Sequence, residues 1–233
     1  IAGVTGKIDE VLLNIEDAYY AGKQIICENK KLTSYDASFV IDKDNPNIQK
    51  YNEVIPRVYT TPFLSTEFCK ELLEESIRLS TKGDTFEVNP TEGGSVQVPE
   101  FNFKKVPGIY NLIIRAVKEN LVPMFNHLWG RPNYYEATIQ IANYSPREIS
   151  EISYHFDSAG DVSVVVPLNT GEYEGGGTEF LNRGIVEPLP NGTALFFDSF
   201  TNKHRGLAVT KGQRYLLVMW IKGYNYNFDL TRE

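Results

Sequence analysis

The segment Tyr154-His155-Phe156-Asp157 offers the clearest candidate ligands for a metal ion in this sequence. On a β-strand successive side chains alternate between two faces, so His155 and Asp157 would point the same way. A later histidine, His204, follows after several predicted strands, and a jelly roll can return it beside that pair. Two imidazoles and one carboxylate then occupy one face of an octahedral ion and leave positions open. This donor set suits non-haem Fe(II) that must also bind a co-substrate and oxygen.

The motif alone carries little weight, because isolated His-x-Asp pairs are common in proteins. A lone histidine on a strand is more often a hydrogen-bonded core or surface residue than a ligand. The remaining histidine, His127 beside Trp129, has no partner at a ligand spacing, and we expect a structural or surface role for it. A structural zinc site is a poorer interpretation of the three candidate ligands, since such sites are normally closed and four-coordinate.

Arg214 strengthens the metal hypothesis. It lies ten residues after His204, where Gly212 predicts a turn and the following apolar run predicts a buried strand. A charge at the start of a buried strand is costly unless it is paired. Its partner is either an Asp or Glu of this chain or the carboxylate of a ligand, because a guanidinium group binds carboxylates bidentately. With His155, Asp157 and His204 it resembles the residue arrangement of Fe(II)/2-oxoglutarate dioxygenases, and this resemblance implies that Arg214 would hold the far carboxylate of 2-oxoglutarate.

The fold that positions these side chains has helices first and strands later. Hydrophobic periodicity predicts helices over residues 7–21, 65–80 and 108–120, with a break or a new start at Pro123. Short β-rich runs divided by Gly, Pro and Asn predict strands, which we place at residues 135–144, 162–168, 178–181, 193–198 and 214–221. We therefore predict an α+β, mainly β fold: a double-stranded β-helix (jelly-roll) core with N-terminal helices packed on one sheet.

Two stretches fall outside this core. Residues 1–50 end in a polar run containing Asp-Asn-Pro, and we expect an N-terminal appendage or a linker from an upstream region, followed by a dioxygenase domain over residues 51–233. Residues 83–94 are polar and Gly-rich, which predicts a mobile loop. Because the sequence starts at Ile1 without a methionine, we expect it to be part of a longer protein.

Composition limits the possible functions. The 233 residues are 42% hydrophobic and 23% charged, as in a soluble globular protein, and no apolar run approaches the ~20 residues of a membrane span. The net charge of −7 disfavours nucleic-acid binding, which needs a basic surface. With only two cysteines, Cys27 and Cys69, a disulfide-dense scaffold and a Cys-rich zinc module are excluded. Two buried thiols are a simpler interpretation than one disulfide.

Residues from about 55 to 221 resemble the catalytic domain of procollagen lysyl hydroxylases. The motifs that carry the resemblance, besides the His-x-Asp pair, are Val98-Pro99-Glu100, Tyr144-Ser145-Pro146-Arg147-Glu148, Pro167-Leu168-Asn169, Tyr173-Glu174-Gly175-Gly176-Gly177-Thr178-Glu179-Phe180-Leu181, His204-Arg205-Gly206-Leu207 and Gly212-Gln213-Arg214-Tyr215. The tyrosine-Ser-Pro and triple-glycine segments favour lysyl over prolyl hydroxylases, which commonly carry Lys where Arg214 stands. Two positions depart from the animal enzymes, since Phe156 replaces a histidine and Thr178 replaces a cysteine.

The resemblance implies a full set of site residues and an activity. It implies His155, Asp157 and His204 as iron ligands, and Arg214 and Tyr144 as the residues that bind 2-oxoglutarate. The implied reaction hydroxylates peptidyl lysine at C5 in collagen-like sequences and releases succinate and CO2. The implied cofactors are Fe(II), 2-oxoglutarate as co-substrate, O2 and ascorbate. A homodimer is also implied. The expected location is the endoplasmic reticulum lumen if the protein follows its animal relatives, or the host cell if it is viral.

Other functions stay open on the sequence alone. The same dioxygenase chemistry could act on peptidyl proline, a free amino acid or another protein. A jelly-roll module that binds iron or a carboxylate without turnover is a further alternative, although such modules are expected to have lost a ligand or the arginine. If the substrate is lysine, its ammonium group needs acceptors near the iron, and Asp161, Glu172 and Glu174 are the candidates.

Overall fold

The computed structural model describes residues 51–80, 98–130 and 133–224. The predicted helix at residues 7–21, the predicted loop at residues 83–94 and Cys27 lie outside these ranges. The described helices are α1 (Thr66–Ser80), α2 (Pro107–Ala116) and α3 (Val122–Trp129). The described strands are β1 (Asn52–Ile55), β2 (Val58–Pro62), β3 (Glu100–Asn102), β4 (Asn133–Tyr144), β5 (Val162–Pro167), β6 (Glu174–Gly175), β7 (Thr178–Phe180), β8 (Gly184–Val186), β9 (Thr193–Asp198), β10 (His204–Gly206), β11 (Val209–Lys211) and β12 (Arg214–Tyr224).

One large antiparallel sheet organises the fold, with strand order β1-β2-β9-β5-β12-β4-β3. Its longest ladder joins β12 to β4 and starts at the pair Arg214↔Tyr144, so these two candidate residues lie side by side at one end of the sheet. Two smaller sheets, β10-β7-β8 and β11-β6, form a second layer. The five strands predicted from sequence correspond to β4, β5, β7, β9 and β12, and the other described strands were not predicted.

Alternation along β12 divides the large sheet into two faces. Leu217, Met219 and Ile221 lie in the largest hydrophobic core, together with the buried faces of the helices. Leu216 and Val218 lie on the opposite face, where Leu216 packs with residues of β4 and β11. The helices therefore cover one face of the sheet, and the second layer covers the other. This arrangement confirms the prediction of a mainly β jelly roll with helices on one sheet.

Helix α1 has the amphipathic character that its sequence predicts. Its buried face carries Phe68, Cys69, Leu72 and Leu73. The N–H of Phe68 donates to Oγ of Ser65 at 3.1 Å, which satisfies one of the free donors at the start of the helix. Cys69 is a fully buried free thiol, as expected for a small core residue.

The helix predicted at residues 108–120 is divided into an α-helical and a π-helical piece. Helix α2 ends at Ala116, one π-helical turn spans Val117–Leu121, and α3 begins at Val122. Pro123 lies in the first turn of α3, where a residue without an N–H is tolerated. The proline therefore marks the new start that the sequence predicts. No helix in the described ranges is both long and apolar enough to cross a membrane.

Candidate metal and co-substrate site

A cavity of about 590 Å³ opens against the face of the large sheet that the helices leave uncovered. Its wall contains all five side chains that were predicted to bind the metal or the co-substrate, which are Tyr144, His155, Asp157, His204 and Arg214. They come from β4, from the segment before β5, from β10 and from the start of β12. The fold thus brings together residues that are far apart along the chain.

His155 and His204 face each other across a single antiparallel bridge. The N–H of His155 donates to the carbonyl of His204 at 2.9 Å, and the reciprocal bond measures 3.0 Å. The expectation of a regular strand around the His-x-Asp pair is wrong, because the segment pairs only at this bridge. The expected juxtaposition holds, however: Nε2 of His155 lies 3.4 Å from Oδ1 of Asp157.

The three candidate ligand atoms converge on one point. Nε2 of His204 lies 3.7 Å from Oδ2 of Asp157, and all three ligand atoms lie within 4.8 Å of one another. His204 and Asp157 are buried, and His155 is partly exposed. Two imidazoles and one carboxylate at this spacing can hold a metal ion on one side. The set contains no thiolate, and its chemistry fits Fe(II) of the facial-triad type.

Backbone carbonyls fix the orientation of both imidazole rings. Nδ1 of His155 lies 2.9 Å from the carbonyl oxygen of Ser153, and Nδ1 of His204 lies 3.0 Å from that of Asn202. A carbonyl only accepts, so each Nδ1 carries a proton, and in the neutral ring Nε2 is then the nitrogen that presents a lone pair. Metal-binding histidines commonly have this second hydrogen bond. The rings are therefore already oriented for coordination through Nε2.

Two buried serines, Ser163 and Ser199, form a hydrogen-bonded pair, and Ser163 donates to the Asp157 carboxylate. Oγ of Ser163 donates to Oδ2 of Asp157 and lies 2.8 Å from Oγ of Ser199. Both serines are fully buried. Neither was predicted from the sequence, because serines in a buried strand and its flanking turn have no spacing that distinguishes them. Their contribution follows from the packing of β5 beside β9.

The local charges keep Asp157 ionised. Burial alone disfavours the carboxylate, but the hydrogen bond from His155 and the proximity of His204 outweigh it, and the pKa of Asp157 lies below its usual value. Burial also lowers the pKa of His204. For His155 burial opposes protonation, yet the hydrogen bond to Asp157 prevails and raises the pKa. An ionised carboxylate and a neutral His204 are the protonation states that metal ligation requires.

Arg214 is a buried cation in the wall of the same cavity, and it is not one of the three candidate metal ligands. It is 3% exposed, and its Nη1 donates to the carbonyl oxygen of Gly177 at 3.1 Å. Among the described residues its Nε has no hydrogen-bond partner, and no carboxylate forms an ion pair with it. The alternative of an ordinary structural ion pair is therefore not observed in the described ranges. A buried guanidinium group of this kind favours an anionic ligand.

Tyr144 lies beside Arg214, with the guanidinium carbon 5.6 Å from the centre of the ring. Burial raises the pKa of the Tyr144 hydroxyl to about 12. The hydroxyl therefore stays protonated at physiological pH and can donate a hydrogen bond. Together, Arg214 and Tyr144 present donors that could bind a carboxylate.

The triple-glycine segment, Gly175-Gly176-Gly177, packs its backbone directly against the side chain of Arg214. Gly175, Gly176 and Gly177 have φ values of 81°, 80° and 102°, which residues with a Cβ rarely adopt. A Cβ on Gly176 would lie 3.1 Å from Cδ of Arg214. The carbonyl of Gly177 is the acceptor for the guanidinium group. The segment therefore wraps closely around the arginine.

The acidic residues proposed as acceptors for a substrate ammonium do not line the cavity. Oδ2 of Asp161 accepts a hydrogen bond from the N–H of Gly223 at 2.7 Å, and Glu174 pairs with Lys211 at 2.8 Å on the surface. Glu172 contacts Asn169 instead. The cavity wall does contain an acidic residue that was not singled out for chemistry, Glu100.

Comparison with known proteins also points to a site for Fe(II) and 2-oxoglutarate. The chain matches the family described as the 2OG-Fe(II) oxygenase superfamily over residues 139–222. It is 30% identical over 176 residues to the multifunctional procollagen lysine hydroxylase and glycosyltransferase LH3 of Rattus norvegicus, and the match covers 71% of this chain and 23% of the relative. A procollagen lysyl hydroxylase and glycosyltransferase of Acanthamoeba polyphaga mimivirus is 28% identical over 181 residues, which cover 73% of this chain and 20% of that protein. The chain thus spans about a quarter or less of the length of these relatives.

Solved structures support the fold. The non-heme alpha ketoglutarate dependent carbocyclase SnoK from nogalamycin biosynthesis superposes with a TM-score of 0.56 at 15% identity, covering 78% of this chain and 85% of that chain. A prolyl hydroxylase from Trichoplax adhaerens, solved with a hypoxia inducible factor peptide, gives 0.55 at 16% identity and covers 71% and 83%. At these identities the likeness concerns the fold alone.

Proposed function

Because the chain belongs to the 2OG-Fe(II) oxygenase superfamily, we propose that it is a dioxygenase that hydroxylates peptidyl lysine at C5 in collagen-like sequences. The observation that carries the proposal is a cavity wall shared by the His155, Asp157 and His204 cluster and by the buried Arg214, which pairs with no carboxylate of the described residues. The reaction consumes a C–H bond, O2 and 2-oxoglutarate, and it yields the alcohol, succinate and CO2. The relevant domain is residues 51–233.

The metal site is assigned to His155, Asp157 and His204. Fe(II) bound there would supply the activation of oxygen that is coupled to oxidative decarboxylation. The protein residues have a positioning role. The carbonyls of Ser153 and Asn202 set the imidazole orientation, and the pKa of Asp157, held low by its imidazole neighbours, keeps the carboxylate charged.

The co-substrate site is assigned to Arg214 and Tyr144. The guanidinium group supplies a charge and the hydroxyl supplies a hydrogen bond, so both would bind the carboxylate of 2-oxoglutarate that lies farther from the metal. Both side chains are almost fully buried, which strengthens their interaction with an anion. The apolar side chains of Val165, Leu216 and Val218 belong to the same cavity wall.

Lysine is favoured as the substrate by the relatives of about 30% identity, whose names describe lysine hydroxylases. A collagen-like peptide is basic at its lysines, in keeping with a chain of net charge −7. Ascorbate as reductant and a homodimer come from the resemblance to the same family.

The substrate is tested with matched collagen-like peptides that contain either Lys or Pro before glycine. The protein is incubated with Fe(II), 2-oxoglutarate and oxygen, and peptide mass is followed together with succinate. We expect one oxygen atom to be added to the lysyl peptide and not to the prolyl peptide. Oxygen addition to the prolyl peptide alone would replace lysine by proline as the substrate. Succinate release without oxygen addition to either peptide would reject the peptide substrate and retain the dioxygenase chemistry.

A further inference from the structure

We infer that Glu100, oriented by Gln140, is the specificity-determining residue that receives the side-chain ammonium group of the substrate. This inference rests on the proposed lysine substrate and assigns the residue that recognises it. Nζ of lysine is bonded to the carbon next to C5. The acceptor of the ammonium group must therefore lie in the wall of the same cavity as the metal ligands.

Two acidic side chains line that cavity among the described residues, Asp157 and Glu100. Asp157 faces both imidazoles and accepts from Ser163. Its carboxylate is occupied by the candidate metal site. Glu100 is the acidic residue of the wall that the metal and co-substrate assignments leave without a function.

The sheet register directs Glu100 into the cavity. Glu100 pairs with Ala142, and Ala142 pairs with Leu216 on the next strand. Paired residues of neighbouring strands project from the same face of a sheet, and both Ala142 and Leu216 line the cavity. Glu100 is partly exposed, so a ligand in the cavity can reach it.

Gln140 fixes the orientation of the Glu100 carboxylate. Nε2 of Gln140 donates to Oε2 of Glu100. The carboxylate can only accept, so this contact also determines which end of the Gln140 amide faces it. Gln140 is 4% exposed, and its Oε1 has no hydrogen-bond partner among the described residues.

The surroundings match a lysine side chain. An ammonium group carries three donors and no acceptor, and a carboxylate can accept several hydrogen bonds at once. Next to Glu100 the wall is formed by the aliphatic side chains of Val98, Ala142, Leu216 and Val218. Such a surface packs against the methylene stem of lysine while the charged end reaches Glu100.

The negative charge of Glu100 and the positive charge of Arg214 lie at different places in the cavity wall. From the strand spacing and rise, the backbones of Glu100 and Arg214 lie roughly 12 Å apart across the sheet. Arg214 is placed for the anionic co-substrate, and Glu100 for a cationic substrate. A proline ring carries no charge, so Glu100 would favour lysine over proline as the hydroxylated residue.

The test compares two peptides and two variants. A lysyl peptide and the same peptide with norleucine differ in the ammonium group alone. Dissociation constants are measured for the wild-type chain, Glu100→Gln and Glu174→Gln, with Fe(II) and 2-oxoglutarate present and oxygen excluded. Glu174 is an exposed acidic residue outside the cavity, so its variant controls for the loss of one negative charge.

We expect Glu100→Gln to weaken binding of the lysyl peptide by about 10- to 100-fold, as for the loss of a charge-assisted hydrogen bond, and to leave the norleucyl peptide unchanged. Glu174→Gln should bind both peptides like the wild type. Glu100→Asp should retain more lysyl affinity than Glu100→Gln, which separates charge recognition from a folding defect. Glu174→Gln should also keep the wild-type rate of uncoupled succinate release, since Glu174 lies outside the cavity.

The assignment of Glu100 would be overturned if Glu100→Gln weakened the binding of both peptides equally, or of neither, while the wild type still hydroxylated the lysyl peptide. A wild-type chain that neither binds nor hydroxylates the lysyl peptide would overturn the proposed substrate together with this inference.

Discussion

Nη1 of Arg214 donates a hydrogen bond to the carbonyl oxygen of Gly177 at 3.1 Å, so the triple-glycine turn holds the buried guanidinium group by its backbone. This contact links two motifs that are far apart in the sequence. It also explains why glycines occupy the turn, since a side chain on Gly176 would meet Arg214. The charge of Arg214 is thereby positioned without an ion pair to a carboxylate in the described ranges.

Replacing Arg214 should weaken 2-oxoglutarate binding with little effect on iron. We expect Arg214→Ala to raise the dissociation constant for 2-oxoglutarate by about 10- to 100-fold, as for the loss of a charge-assisted hydrogen bond. Arg214→Lys should give an intermediate value, because lysine keeps the charge and loses the bidentate geometry. Calorimetric titration checks both variants. Unchanged affinity in a folded Arg214→Ala protein would contradict the role of Arg214.

Gly176→Ala should perturb the same site through the backbone. The φ value of 80° makes alanine strained there by about 1–3 kcal/mol, and the new Cβ would press on the Arg214 side chain at 3.1 Å. The matched control is Gly171→Ala, since Gly171 has a φ of 99° and a Cβ added there would meet no heavy atom within 4 Å. Both variants should lose stability in thermal unfolding, and Gly176→Ala alone should lose 2-oxoglutarate affinity. Equal affinities in the two variants would refute the contact.

Tyr144→Phe tests the hydroxyl as a donor. Burial raises the pKa of Tyr144 to about 12, so the neutral hydroxyl persists below that pH. The variant should bind 2-oxoglutarate about 5-fold more weakly, as for the loss of one neutral hydrogen bond of about 1 kcal/mol. The ratio of wild-type to variant affinity should stay constant between pH 6 and pH 9 on this account. A ratio of one would show that the hydroxyl does not contact the ligand.

The thiol of Cys69 should report unfolding. Its pKa is raised by burial from 9.0 to about 12, so the protonated thiol stabilises the fold below pH 9, and this contribution is lost as the pH rises toward 12. In a Cys27→Ser background, alkylation at pH 8 should therefore be slow in the native protein and fast in denaturant. Mass spectrometry of the alkylated protein measures both rates. Rapid alkylation of the native protein would contradict the burial of the Cys69 thiol on α1.

The sequence was most informative where chemistry and periodicity coincide. The helical spacing of apolar residues predicts α1, and the apolar run after Arg214 predicts β12, because each element packs against the core. His155, Asp157, His204 and Arg214 stand at characteristic spacings and histidine is scarce in this chain, so the sequence alone was enough to single them out. Their function as ligands stays a prediction.

Other parts of the site depend on strand pairing, which the sequence does not display. Glu100 reaches the cavity through its register with Ala142 on β4. Ser163 donates its hydrogen bond to Asp157 from strand β5. Neither residue has a spacing that relates it to the metal ligands. The irregular backbone around His155 was missed for a similar reason, because one bridge with His204 replaces a full strand.

The central claim is that His155, Asp157 and His204 support 2-oxoglutarate turnover, and succinate release by the wild type and by Asp157→Ala tests it most directly. Circular dichroism of both proteins establishes that the variant is folded. With Fe(II), 2-oxoglutarate and oxygen, we predict succinate from the wild type and at least a hundredfold less from the variant, since a missing ligand removes the metal. Equal succinate release by the two proteins, or none from the wild type under any condition, would contradict the account.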